Sequence, residues 1–227
     1  IHLIEIAKKY NYNDKGISDN SPFLVQDPLF NSILLRSNEA LINLYKIIGN
    51  EKNKVNFLEK KLSIGIENMN KKLYNEKICA YVHYDLRNQK QIPFISSSSF
   101  APLFCGAPDL KKLKNLISTL ENKFGGKEKY LCASFDTTNS RYNPIKYWRG
   151  PIWINLNWIL YNGFKRYGLN KMAKKIKNDS IELISKHGFY EYFDPRKNRA
   201  GLKKTGYGGD NFSWTAALYI DLINDKI

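Results

Sequence analysis

Apolar residues recur along most of the chain at intervals of three and four, the spacing that places side chains on one face of an α-helix. The first such segment begins at Asp27 and Pro28, a pair suited to the N-cap and first turn of a helix, and it ends before Gly49. From Val55 to Met69 the same spacing continues between lysines and glutamates, which predicts an amphipathic helix. Together the two segments predict an αα-hairpin.

Further helices are predicted along the rest of the chain. Their expected starts lie near Phe100, Asp109, Gly150, Asn170 and Asn211. The helix from Gly150 is apolar nearly all round and is expected to be buried, whereas the helix from Asn170 has one apolar stripe opposite lysines. Residues 78–95 alternate more between apolar and polar positions, which predicts an extended ribbon.

The alternation of buried and one-faced helices predicts two concentric helical layers, as in part of an α/α toroid. The helical segments share no common pattern at a fixed period, so a solenoid of TPR, HEAT or armadillo repeats is less favoured. No low-complexity stretch or linker interrupts the chain. The predicted fold class is therefore all-α, in a single domain.

The charge balance makes nucleic acid or an anionic surface a partner to consider. The chain carries 36 Lys and Arg against 21 Asp and Glu, for a net charge of +15. The basic residues occur singly or in pairs along helical segments and never form a block, which is typical of solvated helix faces. We therefore expect no nucleic-acid partner and keep a basic, nucleic-acid-binding helical protein as an alternative.

Cysteine and histidine usage predicts neither a metal nor a cofactor. The three cysteines include no C-x-x-C pair, and the three histidines lack the spacing of helical metal ligands. A reduced, cytoplasmic environment is expected. No stretch reaches the roughly 20 apolar residues of a membrane span, so a soluble chain without a membrane partner is expected. The missing initial Met predicts a piece of a longer protein.

The densest group of candidate functional residues lies just before the most apolar segment. Tyr147, Trp148 and Trp153 offer flat apolar faces with polar edges, and Arg149 offers a planar fork of hydrogen-bond donors. Sugars present the matching combination of C–H faces and hydroxyls, so these residues are candidates for a carbohydrate site. In the structural alternative, Trp153 and Trp158 belong to the core and Arg149 caps a neighbouring carbonyl.

A second candidate, Glu191, is surrounded in sequence by aromatic residues. Apolar neighbours remove solvent from a carboxylate, so its proton affinity can be tuned for acid–base chemistry. The alternative is a solvated Glu on an aromatic packing loop. Asp194, which precedes Pro195, is expected to form a turn.

The glycine-rich stretch at 201–214 matches no phosphate-binding motif, and we interpret it as a loop that lies over a site. No Ser–His–Asp spacing stands out either. Cys105 is interpreted as a core residue rather than a nucleophile.

Five short stretches, in this order along the chain, resemble motifs of known glycosidases. They are Phe-Leu-Val-Gln-Asp-Pro-Leu-Phe-Asn at 23–31, Phe-Ala-Pro-Leu-Phe at 100–104, Tyr-Trp-Arg-Gly-Pro-Ile-Trp at 147–153, Glu-Tyr-Phe-Asp-Pro at 191–195 and Phe-Ser-Trp-Thr-Ala-Ala-Leu at 212–218. The set resembles the C-terminal half of the catalytic domain of glycoside hydrolase family 63 and its mannosylglycerate hydrolase-like relatives, which are kin to trehalases. The third and fourth stretches carry the most specific part of the resemblance.

The resemblance implies an (α/α)6 toroid, the six-hairpin glycosidase fold, that hydrolyses α-glycosidic bonds with inversion. It places the general base on Glu191 and implies a small carbohydrate or glycoside as the partner. The implied sugar subsite consists of Tyr147, Trp148, Arg149, Gly150, Trp153 and, more weakly, Trp214.

Inverting hydrolysis needs two carboxyl groups roughly 6.5–9.5 Å apart, a protonated acid for the leaving oxygen and an ionised base for a water molecule. In the family that the chain resembles, the acid is an Asp in a G-x-D-N-S-P-R type motif upstream of the F-L-V-Q-D stretch. Residues 16–22 look similar but have an extra residue and lack the Arg, so we treat Asp19 as a lookalike. The acid is expected upstream of this chain.

Chain length agrees with this expectation. Twelve helices and their loops need roughly 350–400 residues, and about half of them are predicted here. Residues 1–227 are therefore expected to be the C-terminal portion of a single (α/α)6 catalytic domain, an incomplete toroid with exposed inner-helix surface. The leading hypothesis is an inverting hydrolase of α-linked glucosyl or mannosyl substrates. The alternative is a non-catalytic carbohydrate-binding or scaffold module.

Overall fold

Helices make up most of the computed structural model, which describes residues 2–49, 51–126, 128–197 and 205–225. Within these ranges the α-helices are α1 (His2–Lys9), α2 (Asp14–Asn20), α3 (Pro28–Ile48), α4 (Lys52–Lys72), α5 (Pro102–Cys105), α6 (Leu110–Phe124), α7 (Ile154–Arg166), α8 (Asn170–His187) and α9 (Ser213–Asn224). The strands are β1 (Val25–Gln26), β2 (Tyr74–Asn75), β3 (Ala80–Tyr81), β4 (His83–Asp85), β5 (Lys90–Ile92), β6 (Tyr192–Phe193) and β7 (Gly206–Tyr207). A 3-10 turn at Ser97–Phe100 precedes α5.

The predicted αα-hairpin is formed by α3 and α4. Asp27 caps α3 by accepting a 2.8 Å hydrogen bond from the Phe30 amide, and Gly49, with a φ of +77°, follows the last turn. The two helices approach closely at Gly65 of α4, where a Cβ would lie 2.4 Å from the Leu35 side chain. Capping signals that are local in sequence therefore predicted both ends of α3.

Two helical layers are present, as predicted. The inner series consists of α3, α5, α7 and α9, which contact one another in succession, while α4 packs on α3 and α8 packs on α7 and α9. Close packing of α5 on α7 requires Gly163, where a Cβ would lie 2.8 Å from Leu103. At the end of α7, Arg166 forms an ion pair of 2.8 Å with Glu39 of α3. The inner helices thus form a continuous wall.

The helix predicted from Gly150 begins only at Ile154, so this prediction was wrong at its start. The residues before α7 are extended, because Ile152 donates a 2.7 Å hydrogen bond to the Phe193 carbonyl and accepts one of 2.9 Å from the Phe193 amide. A Gly–Pro pair is compatible with both conformations, and the distant partner strand decides between them. Asn170 is the first residue of α8 rather than its cap.

The predicted ribbon at 78–95 is present and is joined to the start of α3. β4 and β5 form its antiparallel arms, and β1 adds a third strand with Gln26 opposite Tyr84. Because β1 runs directly into α3, this pairing brings Asp27 beside His83 of β4. Two polar residues that lie far apart in the sequence thus become neighbours.

Apolar side chains are exposed on the first and last helices of the inner series. On α3, Phe30 is 76% and Ile47 is 81% exposed, and on α9 Ile220 is 59% exposed. Exposed inner-helix surface is what the sequence predicted for an incomplete toroid. None of the helices in the described ranges is long and apolar enough to cross a membrane.

Candidate active site

Glu191 lies directly before β6 and is half-buried. Its Oε1 accepts a 2.9 Å hydrogen bond from the Tyr147 hydroxyl, and its amide donates one of 3.1 Å to the Gly209 carbonyl. Gly208 has a φ of +76°, and a Cβ at this position would lie 2.2 Å from Oε2 of Glu191. The carboxylate is therefore enclosed by the Tyr147 side chain on one oxygen and by the glycine-rich loop on the other.

The aromatic side chains beside Glu191 contact one another and form what we call the aromatic cluster: Tyr147, Trp148, Trp153, Tyr192 and Tyr207. Trp148 stacks on Trp153 with ring centroids 4.0 Å apart, and Trp153 stacks on Tyr192 at 5.1 Å. Tyr192 in turn stacks on Tyr207 of β7 at 5.9 Å. Trp153 is 5% exposed but Trp148 is 51% exposed, so the open end of the stack is Trp148.

Tyr147 connects the aromatic cluster to the carboxylate. Its ring stands edge-on to Trp153 at 4.8 Å, and its carbonyl accepts a 3.1 Å hydrogen bond from Trp153 Nε1. Its φ of +30° is unusual for a residue with a side chain. The hydrogen bond to Glu191, then burial and the charge of Glu191, raise the pKa of Tyr147. The phenol consequently remains a hydrogen-bond donor to Glu191.

Arg149 and Gly150 both make close contacts within the loop before α7. The Arg149 guanidinium donates two hydrogen bonds, of 2.9 and 2.7 Å, to the Arg141 carbonyl, which is the capping role of the structural alternative. Gly150 is buried, and a Cβ there would lie 2.3 Å from the Asn143 carbonyl oxygen. Both residues therefore hold the turn that presents Tyr147 and Trp148.

Trp214 lies apart from the aromatic cluster. It is half-exposed in the first turn of α9 and lines a cavity of about 400 Å³ between α3, α5, α7 and α9, together with Phe104 and Trp158. Trp158 donates a 2.6 Å hydrogen bond from Nε1 to Asp221, so its polar edge is satisfied on α9. The structure thus places the weaker sequence candidate in the space enclosed by the inner helices.

Trp148 also lines a second cavity, of about 350 Å³, that the sequence did not reveal. Its polar lining includes His83, Ser98 and Ser134. His83 Nδ1 lies 2.9 Å from Asp27 Oδ2. Burial alone would raise the pKa of Asp27, but hydrogen bonds from His83 and the Phe30 amide lower it below its usual value. The sequence signal for this pair was absent because it depends on the pairing of β1 with β4.

The other sequence candidates have structural roles. Asp194 is buried, accepts a 2.9 Å hydrogen bond from the Arg196 amide and pairs with the Arg196 guanidinium, which confirms the predicted turn. Cys105 is buried, and burial raises the pKa of its thiol to about 11, in agreement with the core interpretation. Within the described ranges, no group of three or more His, Cys, Asp and Glu side chains is arranged to hold a metal ion.

Asp19 lies on α2 with an exposed side chain. Arg87 donates hydrogen bonds to the carbonyls of Ser18 and Ser21 and so fixes the backbone on both sides of Asp19. Among the described residues, no hydrogen bond or ion pair joins Asp19 to Glu191. Of the glycine-rich stretch at 201–214, residues 201–204 lie outside the described ranges, and Gly208 and Gly209 lie against Glu191.

Comparisons with known proteins show which proteins this chain is similar to. Residues 2–215 match the sequence model of the mannosylglycerate hydrolase MGH1-like glycoside hydrolase domain. The chain is 33% identical to a mannosylglycerate hydrolase of Rubrobacter radiotolerans over 225 residues, which cover 98% of this chain and 49% of that protein. It thus spans about half the length of the curated relatives it matches.

Solved structures show the same fold. The family 63 mannosylglycerate hydrolase of Thermus thermophilus, solved in complex with Tris and D-glycerate, has a TM-score of 0.86 at 32% identity, over 96% of this chain and 51% of that one. The neutral trehalase of Saccharomyces cerevisiae has a TM-score of 0.67 at 16% identity, over 85% of this chain and 36% of that one, a likeness in fold alone. The predicted six-hairpin fold class is confirmed.

Proposed function

This chain belongs to the mannosylglycerate hydrolase MGH1-like glycoside hydrolase family, and on that premise we propose that it is the C-terminal portion of an (α/α)6 catalytic domain. The domain hydrolyses an α-linked mannosyl or glucosyl substrate with inversion. The observation that carries the proposal is the Glu191 carboxylate, held by the Tyr147 hydroxyl at 2.9 Å beside the aromatic cluster.

Glu191 acts as the general base. An ionised carboxylate takes a proton from a water molecule while the water oxygen attacks the anomeric carbon, and the glycosidic bond breaks on the opposite face of the sugar ring. Tyr147 fixes the orientation of the carboxylate through its hydrogen bond to Oε1. Gly208, which has no Cβ, keeps room beside Oε2.

The aromatic cluster holds the sugar ring. One face of Trp148 stacks on Trp153, and Trp148 is still half-exposed, so its other face is open to the C–H groups of a sugar. Trp153, Tyr192 and Tyr207 support Trp148 from behind. A flat ring that is already fixed by packing loses little entropy when a ligand binds.

The general acid is supplied from outside these 227 residues. Inversion requires a protonated carboxyl group on the side of the leaving oxygen. Asp19 is exposed, and the stretch around it has an extra residue and lacks the Arg of the family motif, which favours an upstream acid over Asp19. The mannosylglycerate hydrolase names of the relatives favour a glycoside of glycerate as the substrate.

The test is kinetic and uses a protein that contains the complete catalytic domain. Glu191→Gln keeps the shape of the side chain but removes the base, so kcat should fall by about 10²-fold or more while the ligand still binds. Glu182→Gln, on the outer helix α8, is the matched control and should keep wild-type turnover. Near-normal kcat in Glu191→Gln contradicts the proposal. NMR of the first anomer released tests inversion separately.

The second candidate is a carbohydrate-binding module without catalysis. The hydrogen bond from Tyr147 to Glu191 joins one carboxylate to the aromatic cluster, whereas hydrolysis with inversion requires two carboxyl groups. Saturable sugar binding to this chain, with no turnover in the protein that contains the complete domain, would support the binding module and contradict the hydrolase.

A further inference from the structure

The peptide group that joins Tyr190 to Glu191 is hydrogen-bonded on both sides. Its carbonyl accepts a 2.7 Å hydrogen bond from the Thr215 hydroxyl, and its amide donates the 3.1 Å bond to the Gly209 carbonyl. Because the carbonyl and the amide point in opposite directions across a planar peptide group, the two bonds together oppose rotation of that group. The backbone from which the Glu191 side chain extends is therefore held by residues that follow it in the chain.

Thr215 is a buried residue in the first turn of α9 and is 2% exposed. A threonine hydroxyl within a helix commonly donates to a carbonyl three or four residues earlier in the same helix. The Thr215 hydroxyl instead donates to a carbonyl 25 positions earlier, directly before Glu191. Its neighbour Trp214 lines the cavity between the inner helices, so two adjacent residues of one motif face different parts of the molecule.

A third hydrogen bond joins the same two segments of the chain, from the Phe212 amide to the Phe189 carbonyl at 2.8 Å. This bond and the bond between Glu191 and Gly209 use main-chain atoms, so they do not depend on which side chains are present. Of the three bonds, the one from Thr215 depends on a side chain. Substitution of Thr215 can therefore loosen the peptide group before Glu191 while the main-chain bonds remain.

We propose that Thr215 is a positioning residue for Glu191: its hydroxyl holds the peptide group before the base, so that the carboxylate stays beside Tyr147 and directed at the water it activates. This inference rests on the proposed function. Tyr147 holds one end of the Glu191 residue, at Oε1, and Thr215 holds the other end, through the backbone. A general base acts within hydrogen-bond reach of the proton it takes, and a misplacement of about 1 Å can cost about 10²-fold in rate.

The kinetic test uses a protein that contains the complete catalytic domain. Thr215→Val keeps nearly the same volume but removes the hydroxyl, so kcat should fall by about tenfold. KM should change by less than about threefold, because Tyr147, Trp148 and Trp153 lie on the loop before α7. Thr215→Ser keeps the hydroxyl and should hold kcat within about threefold of wild type. Where Thr215→Val does not fold, Thr215→Ala provides the same comparison with Thr215→Ser.

A spectroscopic test needs no turnover. The hydrogen bond to Glu191 raises the pKa of Tyr147, so this pKa reports whether the carboxylate stays in place. In Thr215→Val the pKa of Tyr147 should fall toward its ordinary value of about 10, whereas in Thr215→Ser it should stay at the wild-type value. The ultraviolet difference between each variant and the same variant with Tyr147→Phe, followed against pH, isolates this one titration.

Thr119→Val is the matched control, since the Thr119 hydroxyl on α6 also donates to a distant main-chain carbonyl, that of Cys79 at 3.2 Å. It should leave kcat, KM and the pKa of Tyr147 unchanged, and thermal unfolding confirms that each variant is folded. A wild-type kcat or an unchanged Tyr147 midpoint in folded Thr215→Val, or an equal loss of kcat in Thr215→Ser, overturns the positioning role. Each of these results can occur while Glu191→Gln still lowers kcat, so failure of this inference is distinguishable from failure of the proposed function.

Discussion

The hydroxyl oxygen of Tyr147 lies 2.9 Å from Oε1 of Glu191, although the two residues are 44 positions apart in the chain. The relationship depends on two irregular segments, the loop before α7 and the loop before β6. Tyr147 adopts a positive φ of +30° in the first of these loops, and its carbonyl is held by Trp153. The hydrogen bond therefore belongs to a backbone arrangement fixed on both sides.

Removal of the Tyr147 hydroxyl tests its effect on the carboxylate. Tyr147→Phe keeps the ring and its edge-on contact with Trp153, so KM should change by less than about threefold. Loss of the donor leaves Glu191 less well oriented, and kcat should fall by about tenfold. Steady-state kinetics of the complete catalytic domain give both constants. A raised KM with normal kcat would assign Tyr147 to sugar binding instead.

The raised pKa of Tyr147 gives a spectroscopic prediction. The hydrogen bond to Glu191 is the main cause of the shift, and it favours the neutral phenol. In Glu191→Gln the negative acceptor is absent, so the pKa of Tyr147 should fall toward its ordinary value of about 10. The ultraviolet difference between wild type and Tyr147→Phe, followed against pH, isolates this one tyrosine. An unchanged midpoint in Glu191→Gln would contradict the coupling.

Gly208 should tolerate no side chain, because a Cβ there would clash with the Glu191 carboxylate. Both Gly208 and Gly168 have positive φ values, +76° and +67°, so Ala at either position carries a similar backbone cost of about 1 kcal/mol. A Cβ at Gly208 would lie 2.2 Å from Glu191 Oε2, whereas Gly168 has open space. Gly208→Ala should therefore lower kcat by at least about tenfold. Gly168→Ala should lower only the unfolding temperature, and equal effects on kcat would disprove the clash.

The two tryptophans of the stack should separate binding from stability. Trp148→Ala removes a half-exposed ring, so we expect weaker sugar binding and a loss of stability below about 1 kcal/mol. Trp153→Ala removes a ring that is 5% exposed and should cost about 3–5 kcal/mol of unfolding free energy. Calorimetric titration with sugar and chemical denaturation measure the two effects. The reverse order of stability losses would show that the stack is not arranged as described.

Asp27 predicts a pH dependence of stability. Its pKa is lower in the folded chain than the usual value of 3.8, so its ionised form stabilises the fold above that pH, and the contribution disappears as the pH falls through the folded pKa. Asp27→Asn keeps an N-cap residue but cannot ionise. The variant should therefore unfold at a lower temperature than wild type at pH 6, with a difference that shrinks below pH 4. Asp19→Asn, at an exposed position, should follow the wild-type curve.

Sequence reasoning succeeded where the determinants of structure are local. The capping residue Asp27 and the terminating Gly49 lie within one turn of the ends of α3, and both ends were predicted from them. The start of α7 was misplaced because the hydrogen bonds of Ile152 are made with Phe193, far along the chain. No local signal reports a bridge of this kind.

The same distinction applies to the site. The residue types around Tyr147 and Glu191 pointed to carbohydrate chemistry, and the resemblance to a glycosidase family attached roles to them. The contact between Asp27 and His83 was not predicted, because it follows from the pairing of β1 with β4 and from no spacing within either segment. Arg149 was a candidate because of its residue type. Its guanidinium is hydrogen-bonded to the Arg141 carbonyl, which only the folded loop brings near.

The pair of main-chain hydrogen bonds between Ile152 and Phe193 has a consequence for how this site can diversify. Trp153 follows one of these residues, and Glu191 lies shortly before the other, so the bridge fixes the spacing between the aromatic cluster and the proposed base through backbone atoms. Side chains in the adjoining loops can therefore change while Trp153 and Glu191 keep their relative positions.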